Sequence, residues 1–392
     1  MRLSKFLSTT SFFTCLLVSF AFVSCDVLSS GDDNLQPPDT YEFTRDGASS
    51  VAYPGQTDRL NMLGEMDAYL GRGDDGQTLS EQVLLDMYTN AGGDGGGNFS
   101  FTSDRQLANK TFAPDRDEQL FENLFADAAA ASQNGANGVT ASDGTAGLLV
   151  RENSGNTILV DEKGREFGQL IEKGLMGAVF YNQIFNVYLT DARIGPDVEN
   201  EDLAEGANYT PKEHHFDEAF GYWGVPVDFQ SDWPEDREDE PRFWGHYSDV
   251  VDNVRDGMLG TNSTIMDAFI RGRTAIVNKD EAALDEQVDI LYEQLELVAA
   301  ATAVHYINDT LGHLSAGNTG EAFHTLSEAW AFVNALKYSP RRAITVDQIE
   351  TIQNSRFGQN GNFWKVTADG LNQAKSTLLN VYPDLEPVQD EL

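Results

Sequence analysis

Pairs of histidine and carboxylate at helical spacing are the residues of this chain best placed to do chemistry. In EHHFDEAFGYWG (213–224), His214 precedes Glu218 by four residues and His215 precedes it by three. Either pair shares one face of a helix. The run HTLSEAWAF from His324 repeats the pattern, with Glu328 four residues on. An imidazole and a carboxylate one turn apart make half of a metal site, and di-iron bundles complete such a pair with carboxylates from facing helices. Glu172, His305, His324 and Glu328 are the groups that could complete it here. Nitrogen and oxygen ligands without sulfur suit iron, zinc or copper. The alternative is that these are ordinary hydrogen-bonded residues of packed helices. His305 continues an apolar stripe and reads as a core histidine, while His246 and His313 fall in loop-like contexts.

Other chemistries find less support. There is no His-Glu-x-x-His and no inverted His-x-x-Glu-His, because residue 219 is Ala. No nucleophile elbow, phosphate-binding loop or dinucleotide fingerprint is present. The glycine run 92–98 lacks the alternating acids and terminal Glu of a calcium loop and reads as a linker.

The histidines need helices to position them, and helical periodicity dominates the chain. It predicts helices beginning at Gln56 and at Leu79, and over 117–132, 162–190, 263–278, 282–311, 320–338, 346–356 and 366–381. The helix bearing His214 has a complete start signal, with Thr210 as cap, Pro211 in the first turn and Glu213 in that turn. Residues 135–156 read as loop. Gly168, Gly174 and Gly177 line a face of the first long helix where a neighbour could approach closely. His-x-x-x-Glu-Ala-aromatic-small-aromatic occurs at His214 and again at His324, each after a long helix. The expected fold is all-α, with two pseudo-repeated helical bundles in halves of about 41–260 and 261–392.

Targeting and charge bound the setting. Arg2 and Lys5 precede an apolar stretch, 11–24, that ends FVSC. This is the pattern of a lipoprotein signal peptide (1–24), with Cys25 the lipidated first residue of the mature chain and 25–40 an acidic tether. The membrane would then be a partner through the lipid on Cys25, in a cell envelope, at the outer membrane and either periplasmic or surface-exposed. The other cysteine, Cys15, lies in the segment to be removed. That excludes an internal disulfide and a cysteine-based zinc site in the mature chain. With 26 basic against 63 acidic residues and a net charge of −37, nucleic acid is excluded as a partner on electrostatic grounds.

HHFDEAFGYWG, YEFTRDGASSVAYPGQTDRLNML, EFGQLIEKGLMGAVFYNQI and FHTLSEAWAFVNALKY together resemble a domain-of-unknown-function family of Bacteroidota-type envelope lipoproteins, from about Tyr41 to near the C-terminus. That family is similar to imelysin-like proteins, which fold as a pair of four-helix bundles and carry the hallmark Gly-x-His-x-x-Glu. The resemblance places His215 and Glu218 on that histidine and glutamate, with Glu213 where the glycine stands. The internal repeat instead pairs His214 with Glu218. The resemblance implies envelope metal handling, iron foremost, rather than proteolysis. The expected function is a non-enzymatic, lipid-anchored metal-binding protein in iron uptake. One alternative is an interaction module whose acidic aromatic segment 229–244 docks an outer-membrane receptor; a second is a metallopeptidase.

Overall fold

The computed structural model describes residues 34–392, apart from residues 113 and 256 and the side chains of 114–116. The signal segment, Cys25 and most of the tether lie outside these residues. The folded unit runs from Leu35 to Leu392. It starts ahead of the expected Tyr41 because Leu35 is tied to Asn278 twice, through its amide at 2.8 Å and its carbonyl at 2.9 Å.

Helices dominate, as the periodicity requires. Among the described residues the only sheets are two hairpins of two strands each. In the first, β1 (Thr44–Arg45) pairs with β2 (Ala48–Ser49) across Asp46 and Gly47, both at positive φ. Two consecutive left-handed residues give a two-residue turn the twist its strands need. Then follow α1 (Pro54–Asp74), α2 (Glu81–Thr89) and α3 (Pro114–Ala136). The second hairpin pairs β3 (Gly147–Val150), which stands where loop is expected, with β4 (Thr157–Val160) just beyond it. Leu148 and Leu159 from its two strands meet at Gly135 of α3, which a side chain there would obstruct. The anchor is tertiary, so the local pattern does not reveal it.

The first long helix starts at Phe167 rather than 162. α4 (Phe167–Leu175) runs on into two π-helical stretches, Met176–Tyr181 and Ile184–Tyr188. The close approach expected at its glycines occurs at two of them. A Cβ on Gly174 would lie 3.0 Å from the Phe121 ring, and one on Gly177 would lie 2.8 Å from Tyr338 and 3.2 Å from Ala335 Cα. At Gly168 the nearest atom is Glu166 Oε1 at 3.8 Å, so no helix crosses closely there.

The remaining helices are α5 (Asp191–Ile194), α6 (Pro211–Trp223), α7 (Trp244–Asp252), α8 (Thr261–Asn278), α9 (Glu281–Ala316), α10 (Thr319–Ala335), α11 (Val346–Thr351) and α12 (Ala368–Val381). α9 has 36 residues, about 54 Å at 1.5 Å per residue. Every residue from Leu295 to Val304 is buried, so this stretch is an interior post rather than a surface helix. Its alanines at 299, 300, 301 and 303 are all buried, and α8 and α10 both pack against this helix.

α6 is fixed before its histidines come into play. Thr210 Oγ1 accepts from the Glu213 amide, and Glu213 returns the bond to the Thr210 amide at 2.8 Å. This is a capping box. Glu213 also takes a bidentate Arg45 and, at 2.8 Å, Arg273. Arg273, wholly buried on α8, donates to Asp217 at 3.0 Å, and the Tyr41 hydroxyl donates to the same carboxylate at 2.8 Å. Two acids of the EHHFDE run are therefore structural. Phe220 and Tyr222 are fully buried, with Phe220 stacked on Tyr41 at 3.9 Å. Among the described residues no helix is long and apolar enough to cross a membrane.

Candidate functional site

The two faces of α6 present its histidines differently. His214 Nδ1 meets the Ala52 carbonyl at 2.9 Å, so that nitrogen carries the proton. Its Nε2 lies 3.9 Å from Glu218, and its ring stacks on Tyr209. His215 turns to α5, where Nδ1 donates to the Arg193 carbonyl at 2.8 Å and Nε2 lies 3.4 Å from the Arg193 guanidinium. Burial holds its pKa below the ordinary value, and the adjacent Arg193 charge adds to that. Glu218 therefore lies nearest His214, the pairing of the internal repeat, and acts on His215 only through its charge. Glu218 Oε1 accepts from Gln56 and from the Tyr188 hydroxyl, both at 3.0 Å. Lys110 lies within electrostatic reach of Glu218, Arg59 and Arg193, and burial together with Arg59 lowers the Lys110 pKa.

Glu172, His324 and Glu328 do not complete a site around Glu218. They form a second group, on α4 and α10, together with residues that no sequence motif marks. His324 Nδ1 donates to Glu166 at 2.7 Å, and its Nε2 lies 3.6 Å from Glu328. Lys173 pairs with Glu172 beside it and lies 4.0 Å from Glu328. The Asp67 carboxylate of α1 interacts with Glu172, Lys173 and Glu166, and Asp74, one stripe further along α1, interacts with Glu166 and Asp67. Tyr306 of α9 hydrogen-bonds Glu328, and the Tyr247 ring centroid lies 5.8 Å from Lys173 Nζ.

Five carboxylates therefore face one ammonium and one imidazole. Burial, with Glu172 next in effect, pushes Asp67 up to about 7; burial, with Glu166 next, pushes Asp74 up to about 8. Burial also raises Glu328, which Lys173 and His324 only partly offset. For His324 burial acts downward, but the Glu166 and Glu328 carboxylates together outweigh it and hold the imidazole above its ordinary pKa. Lys173 is likewise kept charged by Glu172 and Glu328 against the effect of burial. Glu172 and Tyr247 also line a cleft of about 660 Å³, whose rim carries Glu238, Asp239 and Asp249.

Residues 38–383 match the family described as "Domain of unknown function (DUF4856)". The chain belongs to this family. No curated protein and no solved structure matches it. Within this member of the family the donors at the second cluster are carboxylate oxygens and an imidazole nitrogen, the kinds that iron and zinc accept. Their spacing does not converge: among the described residues, no three His, Cys, Asp or Glu side chains are arranged to hold a metal ion. Lys173 supplies the positive charge in their midst. His305 lies apart, with Nε2 3.6 Å from Asp309. His246, on α7 rather than in a loop, lines the cleft, and partial desolvation of its ring lowers its pKa.

Asp67 and Asp74 left one trace in the sequence. They lie seven apart on α1, four residues after Leu63 and four after Leu70. Acids in an apolar stripe signal a buried polar cluster, although not what faces it.

Proposed function

We propose that the protein is a lipid-anchored cell-envelope protein, not an enzyme, that binds a metal cation in iron uptake. The observation that carries this reading is the surplus of carboxylate packed around Lys173, where burial and the neighbouring acids push Asp67 up to about 7 and Asp74 up to about 8. A bound cation would supply positive charge there; Glu328, His324, Glu166 and Glu172 are the donors nearest Lys173, and they would have to draw together around the ion to hold it. Iron is the leading candidate and zinc the next. The lipoprotein signal of residues 1–24 with lipidation at Cys25, the Bacteroidota-type origin, the relation to imelysin-like proteins and the common origin of the two halves belong to the same proposal. The His214–Glu218 and His324–Glu328 pairs, at 3.9 and 3.6 Å, support the last of these.

The test is elemental analysis of protein purified without chelators, followed by calorimetric titration with Fe²⁺ and Zn²⁺. One equivalent should bind. His324→Ala with Glu328→Gln should weaken it at least tenfold, Lys173→Met should strengthen it by removing the competing cation, and His215→Ala should leave it unchanged. Absence of binding would overturn the reading, and loss confined to His215→Ala with Glu218→Ala would move the site to α6.

A second reading, docking to an outer-membrane receptor, is supported by segment 229–244 in modified form. Its aromatics Phe229, Trp233 and Trp244 are buried anchors, whereas Glu235, Asp236, Glu238, Asp239 and Glu240 are exposed. The partner surface would be basic rather than apolar. Charge reversal at Glu238 and Asp239 should then impair receptor capture without altering metal binding.

A further inference from the structure

The junction of α7 and α8 holds oxygen atoms that the fold does not use. Asp249 and Asp252 lie three apart in the last turn of α7, on one side of the helix. α8 begins after Gly260, which stands at φ 59° and has no side chain to cap the helix. Asp252 supplies the cap instead. Its Oδ1 accepts from Thr261 Oγ1 at 3.0 Å and from the Asn262 amide at 3.2 Å. Capping accounts for one oxygen only. Asp252 Oδ2 has no hydrogen-bond partner, although the residue is fully buried. Asn262, also fully buried, donates from Nδ2 to Asp249 at 3.3 Å, and its Oδ1 is likewise without a partner.

Rotating the Asn262 amide does not resolve this. It would set Oδ1 against the Asp249 carboxylate, acceptor against acceptor. A buried carboxylate oxygen and a buried amide oxygen without donors each carry a desolvation cost of about 1–3 kcal/mol. Among the described residues neither aspartate is in an ion pair, and the Asp252 charge, after burial, raises the Asp249 pKa. Two carboxylates and an amide carbonyl are the oxygen donors that hard divalent cations select, with water filling the remaining positions. Asp249 also lines the cleft of about 660 Å³ whose other acids are Glu172, Glu238 and Asp239. An acid-lined cleft concentrates hydrated cations at its wall.

We propose that Asp249, Asp252 and Asn262 form a site for a hard divalent cation of the calcium class, which clamps α7 to α8. It is separate from the His324–Glu328 cluster and uses no nitrogen ligand. The test is calorimetry on chelator-treated mature protein with CaCl₂, and with MgCl₂ in parallel. Wild type should bind one equivalent of Ca²⁺ and melt at higher temperature when it is added. Asp252→Asn keeps the oxygen that caps α8, and Asp249→Asn keeps an acceptor for Asn262. Each should fold and yet bind Ca²⁺ at least tenfold more weakly. His324→Ala with Glu328→Gln should bind Ca²⁺ like wild type. No binding by wild type, which would leave only a buried water at the junction, overturns the proposal. So does wild-type affinity in Asp249→Asn, or loss of the Ca²⁺ equivalent in the His324/Glu328 double variant.

Discussion

Asp67→Asn should stabilise the protein in alkaline buffer and much less in acid. Burial and the neighbouring Glu172 raise the Asp67 carboxyl from 3.8 to about 7. The folded protein thus keeps this proton to higher pH than the unfolded chain does. The stability it contributes is fully present below about pH 4 and is lost as pH climbs through about 7. Between pH 5 and pH 8.5 the folded carboxyl passes about two pKa units, worth about 3 kcal/mol at 1.36 kcal/mol per unit. Asparagine has no such ionisation. With an unfolding entropy of about 2.1 cal/mol/K per residue over about 350 residues, the gap in Tm between variant and wild type should widen by about 4 °C. Circular-dichroism melts at the two pH values, in chelator-treated protein, measure it directly. Equal shifts at both pH values would refute the reasoning, because Asp67 would then be ionised and satisfied throughout. If a metal binds this cluster, adding it should flatten the wild-type pH dependence.

Two further predictions concern the scaffold. Gly177→Ala places a methyl 2.8 Å from Tyr338 and 3.2 Å from the α10 backbone at Ala335, and should lower stability by about 1–3 kcal/mol through overpacking, read from the urea midpoint. Arg273→Met leaves Asp217 and Glu213 buried with one cation fewer, and should cost about 3–5 kcal/mol. Melts showing a loss of less than about 1 kcal/mol would mean that the network is dispensable.

Local signals are readable wherever the cause is local. Thr210, Pro211 and Glu213 announce the start of α6 because a capping box needs only four adjacent residues. The histidine–glutamate pairs are equally visible, since spacing alone sets their face. What each pair looks at is not local. Glu166 reaches His324 and Glu328, and Asp74 reaches His324, from distant parts of the chain, and Lys173 stands among them because α4 packs on α10. The same limit hides the preference of His215 for Arg193, a residue 22 positions earlier. It hides the hairpin of β3 and β4, which rests on Gly135, and the π-helical turns after Leu175. It also makes the aromatics of 229–244 look like a docking face, when their rings are the pegs that pin the segment down.

The buried Arg273 has a consequence for the order of assembly. It joins Ser50, Glu213 and Asp217, and its bond to Ser50 spans 223 residues. A chain emerging from its N-terminus completes β1, β2 and α6 long before that guanidinium arrives. Until then Asp217 lacks its cation, Glu213 has Arg45 alone, and Tyr41 has a hydroxyl partner that cannot yet be buried. Closing so long a loop is slow compared with forming helices. The segment 41–50 should therefore be the last part of the first half to gain protection from hydrogen exchange, and the chain would wait on its own residue 273 before its front end is sealed.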